Sequence, residues 1–286
     1  MIESDPGRPT PTRVSNEPAI RFASVVTTFG DELVLDRVSF DVDAGDFVCL
    51  LGPSGCGKST TLRILGDLLD FDEGDVEVGG RPPKDTWRDL AYVFQQPRLL
   101  PWRTVLGNVM VGMDLRGVGG SKADRRATAV AKLALVGLAD AAQKYPGVLS
   151  GGERQRVAFA RALAMDPHVV FMDEPLSALD IRTKHELRNE IVDLWQRTSK
   201  TILFVTHDLD EALFLADKVI VFSNKPTRIL RQVAVEAPRP RDLDQDPELQ
   251  LLRKQLHQLF QDASESDDPA DRRSELGHAA AEEVTA

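Results

Sequence analysis

Cysteine is scarce: Cys49 and Cys56 are the only two in a chain of 286 residues. One lies in an apolar run and the other in a glycine-rich turn, which excludes a disulfide framework or a cysteine metal cluster and suits a reducing cytosol. Long apolar runs are missing too. None approaches the roughly 20 residues that span a bilayer, so any role at a membrane passes through a separate partner. Met1 to Glu17 lacks the basic segment and apolar block of a signal peptide. A basic excess is also absent. The formal net charge is -10, and from Asp262 to Ala286 eight acids face two bases, Arg272 and Arg273, so most of the negative charge sits in that tail. The mildly acidic remainder carries no electrostatic footprint for nucleic acid. What is present is ordinary for a soluble globular protein, with 42% apolar and 28% charged residues. The length has room for one large α/β domain or two modest ones.

The most informative stretch is Gly52-Pro53-Ser54-Gly55-Cys56-Gly57-Lys58-Ser59-Thr60. It follows the apolar run Phe47 to Leu51, which reads as a buried strand, and precedes Leu62 to Gly66, whose spacing suits a helix. That is the context a GxxxxGK[ST] phosphate loop requires. Its glycines let successive N–H groups curl inward at phosphate oxygens. The helix adds its positive end, Lys58 reaches the outer phosphates, and the Ser59 hydroxyl is placed to ligate Mg²⁺. The loop is therefore expected to hold a nucleoside triphosphate, and its strand and helix flanks disfavour an ordinary glycine-rich turn.

Around the loop, residues 1–18 read as a flexible, proline-rich leader. Ile20 to Val25 alternates like an exposed edge strand, and Leu33 to Leu35 with Val38 to Val42 continue an antiparallel layer. Phe29 either stacks on a nucleotide base or packs on the sheet. Asp75 to Val78 and Ala91 to Phe94 read as strands, the latter leading to Gln95, whose carbonyl can serve a metal. Arg98 to Trp102 is an apolar, aromatic loop that either fills a gap or docks another protein. From Thr104 to Asp166 helical spacing takes over, as in a helical insertion. Ser150 and Glu153 form a capping box there, and the pair Gly151-Gly152 opens a helix start to a phosphate. Val169 to Met172 runs into Asp173 and Glu174, the form of a buried parallel strand ending at a site. Asp173 is expected in a magnesium shell and Glu174 at an attacking water. His207 follows the strand Thr201 to Thr206 at the same edge, where it can contact a γ-phosphate. Leu249, Leu252, Leu256 and Leu259 form an amphipathic stripe expected to pack back on the domain.

Together these motifs resemble the ATP-binding subunit of an ABC transporter, over nearly all of Ile20 to Arg241. Gly52 to Thr60 matches the Walker A loop, Gln95 the Q-loop, Leu149 to Gln155 the LSGGERQ signature and Val169 to Glu174 Walker B. Ser177 to Asp180 matches the D-loop, His207 the H-switch, and Phe29 the adenine-stacking aromatic. The resemblance implies an α/β P-loop NTPase with a RecA-like mixed sheet core, an antiparallel β subdomain and an inserted helical subdomain at about 97–165. The cassette would occupy 19–241, followed by an amphipathic helix at 242–261 and an acidic disordered tail at 262–286. It also implies catalytic roles for Glu174, His207 and Lys58, and metal ligation by Ser59, Gln95 and Asp173. ATP would be contacted by Phe29, Gly52, Pro53, Ser54, Gly55, Cys56, Gly57, Lys58, Ser59, Thr60 and Gln95, with Ser150, Gly151, Gly152, Gln155 and Asp180 completing the site. The implied partners are a second copy sandwiching two ATP, membrane permease subunits and a periplasmic or lipoprotein solute-binding protein, with no nucleic acid. The implied location is the cytoplasmic face of the inner membrane. Arg98 to Trp102, Val205 to Ala212 and Pro238 to Arg241 look like the nitrate, sulfonate, taurine and bicarbonate importers. A soluble ABC ATPase of DNA repair or translation would share the motifs, though such proteins usually carry long coiled coils or tandem cassettes.

Overall fold

The computed structural model describes residues 17–265. The expected leader and acidic tail lie almost wholly outside the described residues. The hairpin of β1 (Ile20–Phe29) and β2 (Glu32–Val42) opens the fold. β3 (Phe47–Leu51) then leaves for a second sheet and runs through the glycine turn into α1 (Lys58–Leu65). β4 (Glu73–Val78) returns to the far side of β1, giving a three-stranded antiparallel sheet ordered β2-β1-β4. β1 is thus the central strand, not an edge. Its alternation marks one face on the core and one in water, a pattern common to every strand of a one-sided antiparallel sheet. The two strands expected at 33–35 and 38–42 are one, because Arg37 takes a φ of 49° and the register shifts there, bending the strand without ending it.

The second sheet begins with β5 (Leu90–Val93). Three helices follow, α2 (Val105–Arg116), α3 (Lys122–Leu135) and α4 (Gly151–Ala164). Gly117 to Gly120 separates the first two. β6 (Val169–Asp173), α5 (Ile181–Thr198), β7 (Thr201–Thr206), α6 (Leu209–Leu215), β8 (Lys218–Phe222) and β9 (Ile229–Ala234) complete the sheet. Its order is β5-β6-β7-β3-β8-β9, parallel throughout except for β9. Every residue of β3 and β7 is buried. In β3 alternate residues serve two cores: Phe47, Cys49 and Leu51 face the helices, while Val48 and Leu50 face α1 and the antiparallel sheet. Burial on both faces explains the unbroken apolar runs. Because β3, β6 and β7 are parallel, their C-terminal ends open on one edge of the sheet, where such sheets bind ligands.

After β9 the chain is fastened by two arginines. Arg239 stacks over Trp195 at 4.5 Å and pairs with Asp217 at 2.6 Å. Arg241 is buried and donates to the carbonyls of Ala237, Leu213, Ala216 and Val235, so it caps the end of α6. Burial, then repulsion from Arg239, lowers its pKa to about 10. α7 (Pro247–Glu265) begins later and runs further than the expected 242–261, because Asp246 accepts the Glu248 and Leu249 N–H groups and fixes the start. Leu249 and Leu256 are buried, with Leu252 and Leu259 half-buried against the same core. Arg253 pairs with Asp210 on α6.

Candidate nucleotide site

The turn after β3 admits glycine for steric reasons. A Cβ on Gly52 would lie 2.9 Å from Cys56 Sγ and 3.0 Å from Phe222 Cβ. Gly57 has a φ of 108°, and a Cβ there would lie 2.9 Å from Leu35 Cδ2. Ser54 and Gly55 form the exposed rim, with Pro53 and Thr60 half-buried. Lys58 is buried at the first position of α1. Its Nζ donates to the carbonyls of Gly52 at 2.8 Å and Pro53 at 2.6 Å. A buried ammonium requires such partners, and it puts a full positive charge beside a helix N-terminus. Cys56 lies beneath it, its thiol pKa raised by burial. Thr227, far along the chain, ties the loop down: its hydroxyl donates to the Cys56 carbonyl while its backbone bonds Val34 and Asp36 of β2.

Opposite the loop, the end of β6 presents two carboxylates in different directions. Asp173 Oδ1 accepts from Ser59 Oγ at 2.6 Å and its Oδ2 accepts from Tyr92 Oη at 3.1 Å. Glu174 has a φ of 42°, rare for a residue with a side chain, while its N–H bonds the Val205 carbonyl at 3.0 Å. Its Oε1 stands 4.0 Å from Lys58 Nζ and its Oε2 3.3 Å from His207 Nδ1. The His207 turn is held from behind. Thr206 Oγ1 donates to Glu211 Oε2 at 2.7 Å and accepts from the Asp208 N–H at 3.0 Å. Lys184 Nζ lies 3.5 Å from the other Glu211 oxygen, and burial raises that carboxyl's pKa.

Lys58, Ser59, Asp173, Glu174 and His207 are therefore brought together, and other expected residues are placed elsewhere. Gln95 donates to Ser177 Oγ at 3.0 Å, and that hydroxyl donates to the Glu174 carbonyl at 2.9 Å. Its amide is therefore engaged away from the Ser59–Asp173 pair. Gln155, expected at the nucleotide, is only 2% exposed and its Nε2 donates inward to the Phe94 carbonyl at 3.4 Å. The helix turns that side chain toward Phe94, just past the end of β5. Ser150 caps α4 in a reciprocal box with Glu153. Gly152 has a packing reason that the sequence did not reveal, since a Cβ would fall 2.6 Å from Thr183 Cγ2; at Gly151 it would lie 3.3 Å from Leu179. Asp180 caps α5 by accepting from the Thr183 N–H and hydroxyl, which hold its carboxyl below the usual range. Phe29 is 46% exposed at the end of β1, so it is not a core residue of the sheet. Tyr92 and Thr227 were not singled out from the sequence. Their contacts span 81 and 171 residues, and no local pattern marks them.

The residues fit a nucleoside triphosphate with Mg²⁺. The left-handed Gly55 and Gly57 let the loop backbone curl with no side chain at those two turns, the buried ammonium meets phosphate charge, and the Ser59 hydroxyl beside a carboxylate is the hard oxygen pair that Mg²⁺ takes. A parallel sheet whose β3 ends in this turn, with acids at the end of β6 one strand beyond its neighbour β7, defines a P-loop nucleoside triphosphatase. Residues 35–177 match the family model described as ABC transporter. The chain is 42% identical over 253 residues to the aliphatic sulfonates import ATP-binding protein of Pseudomonas fluorescens, which covers 88% of this chain and 91% of that one. It is 42% identical over 231 residues to the bicarbonate transport ATP-binding protein of Synechocystis sp., covering 79% and 82%. Among solved structures, a dimeric ATP-binding cassette in a post-hydrolysis state bound to ADP and Pi matches with a TM-score of 0.67 at 32% identity, over 77% of this chain and 100% of that one. The chain belongs to the ABC transporter family as an ATP-binding subunit, an ATPase coupled to transport. No helix among the described residues is long and apolar enough to cross a membrane.

Proposed function

We propose that this chain energises an importer of a small oxyanion or organosulfonate, of the nitrate, sulfonate, taurine or bicarbonate kind. It would act as a homodimer that sandwiches two ATP at the cytoplasmic face of the inner membrane. The observation that carries the catalytic part is the Glu174 carboxylate between Lys58 and His207 beside the Ser59–Asp173 pair. Lys58 exchanges the Gly52 and Pro53 carbonyls for phosphate oxygens and stabilises charge in the transition state. Glu174 orients the attacking water and accepts its proton, and His207 holds Glu174 and contacts the γ-phosphate. Mg²⁺, held by Ser59 and Asp173, would neutralise phosphate charge. Gln95 joins them after leaving Ser177, so its release reports γ-phosphate occupancy to the loop that follows.

The Ser150 end of α4 and Asp180 have their described contacts within α4 and α5, apart from the phosphate loop, which supports their use on a second copy's ATP. ATP then joins the two copies, and hydrolysis separates them. Trp102, 70% exposed on the loop after Gln95, supports docking of permease subunits there. The named relatives, of sulfonate import and bicarbonate transport, support an oxyanion cargo, and none supports a role in DNA repair or translation. Two measurements test the reading. Glu174→Gln should retain ATP binding, elute as a dimer with ATP and lose turnover roughly 10²- to 10⁴-fold; elution as a monomer with ATP would refute the shared site. The chain with its co-expressed membrane partner in nanodiscs should hydrolyse ATP faster with one binding protein loaded with a sulfonate, taurine, nitrate or bicarbonate. Full activity with no membrane partner co-purifying would refute the importer.

A further inference from the structure

The Asp173 carboxylate is held at both oxygens. Ser59 Oγ takes Oδ1 at 2.6 Å and Tyr92 Oη takes Oδ2 at 3.1 Å. β5 and β6 run parallel with Tyr92 opposite Phe171, so Asp173 lies two residues further along the same face. That offset is about 6.6 Å along a strand, within reach of a tyrosine hydroxyl lying along the sheet. The ring is fixed independently of its hydroxyl: it stacks on Phe94 at 4.3 Å and meets the edge of Phe171 at 6.2 Å.

We propose that Tyr92 is a positioning residue for the ATP site: its hydroxyl locks the rotation of the Asp173 carboxylate, so that Oδ1 beside Ser59 is presented to a divalent cation. The inference rests on the assignment of Ser59 and Asp173 to Mg²⁺ made above. A carboxylate without the Tyr92 hydroxyl can turn about its Cβ–Cγ bond, and ordering it is then added to the cost of metal binding. Removal of a group orienting a metal ligand typically weakens metal binding 10- to 100-fold.

The test uses the purified full chain with ADP and Mn²⁺ as the probe, bound metal being counted by electron paramagnetic resonance. The parent should bind Mn²⁺ with nucleotide, and Asp173→Asn should abolish that binding. Tyr92→Phe, which keeps both aromatic contacts, should weaken Mn²⁺ binding roughly 10- to 100-fold while nucleotide affinity in excess EDTA stays at the parent value. Adding Tyr92→Phe to Asp173→Asn should change nothing further, and Tyr92→His, which restores a ring donor, should recover part of the affinity. Parent-like Mn²⁺ binding by Tyr92→Phe overturns the inference. An equal loss of metal-free nucleotide affinity, or failure of both Tyr92 variants to fold, does the same by making the role structural. If the parent binds no Mn²⁺ with nucleotide, or Asp173→Asn binds it unchanged, the metal assignment itself falls.

Discussion

The Gly152 contact separates packing from phosphate recognition at the start of α4. An alanine Cβ at residue 152 would sit 2.6 Å from Thr183 Cγ2, where ordinary contact begins near 3.4 Å. Overpacking of that kind typically costs about 1–3 kcal/mol, and alanine returns up to about 1 kcal/mol over glycine within a helix. Gly152→Ala should therefore destabilise the chain by about 0–3 kcal/mol in urea unfolding. The decisive background is Thr183→Ser. It deletes the offending methyl and keeps the hydroxyl that donates to Asp180 at 2.7 Å. In that background Gly152→Ala should be neutral or stabilising, giving a coupling of about 1–3 kcal/mol between the two positions. A coupling below about 0.5 kcal/mol would show that Thr183 does not constrain Gly152. ATPase measured on the same four proteins adds a second reading. If activity stays lost in the double variant while stability returns, Gly152 also serves a phosphate through its bare backbone.

Thr227→Val keeps the shape of the side chain but leaves the buried Cys56 carbonyl without its hydroxyl donor. It should cost about 1–3 kcal/mol and weaken ATP binding, as measured by urea midpoint and calorimetric titration; parent values in both would show that the tether is idle. Leu256→Ala empties a fully buried site where α7 meets the core. A loss of about 2–5 kcal/mol is expected, and an unchanged urea midpoint would mean that α7 docks without that side chain.

Local patterns in the chain were enough to locate the phosphate loop, the Asp173–Glu174 strand end and His207, because each joins a backbone-specific composition to a strand or helix flank. The same kind of reading misplaced β1, whose alternation describes its faces and says nothing of its neighbours. The direction of the Gln155 side chain was not legible for a related reason. The motif gives its identity, but which way it turns depends on the packing of α4 against β5. Tyr92 and Thr227 were invisible because a hydrogen bond between residues far apart in the chain, on two strands for Tyr92 and between two loops for Thr227, leaves no periodicity in either segment. Phe29 was open between two readings, and its 46% exposure at the hairpin end leaves ring surface free for a base.

The order of strands in the large sheet has a consequence for synthesis. The small antiparallel sheet is built from neighbours in the chain and can close once Val78 has left the ribosome. β3 waits much longer, since its partners are β7 and β8, and its phosphate loop gains its tether only with Thr227. A nascent chain therefore carries a finished hairpin layer and an exposed apolar strand through most of translation. Nucleotide can be gripped only after Thr227 has emerged, which makes ATP a witness to nearly completed chains and leaves Phe47 to Leu51 unpaired until β7 and β8 arrive.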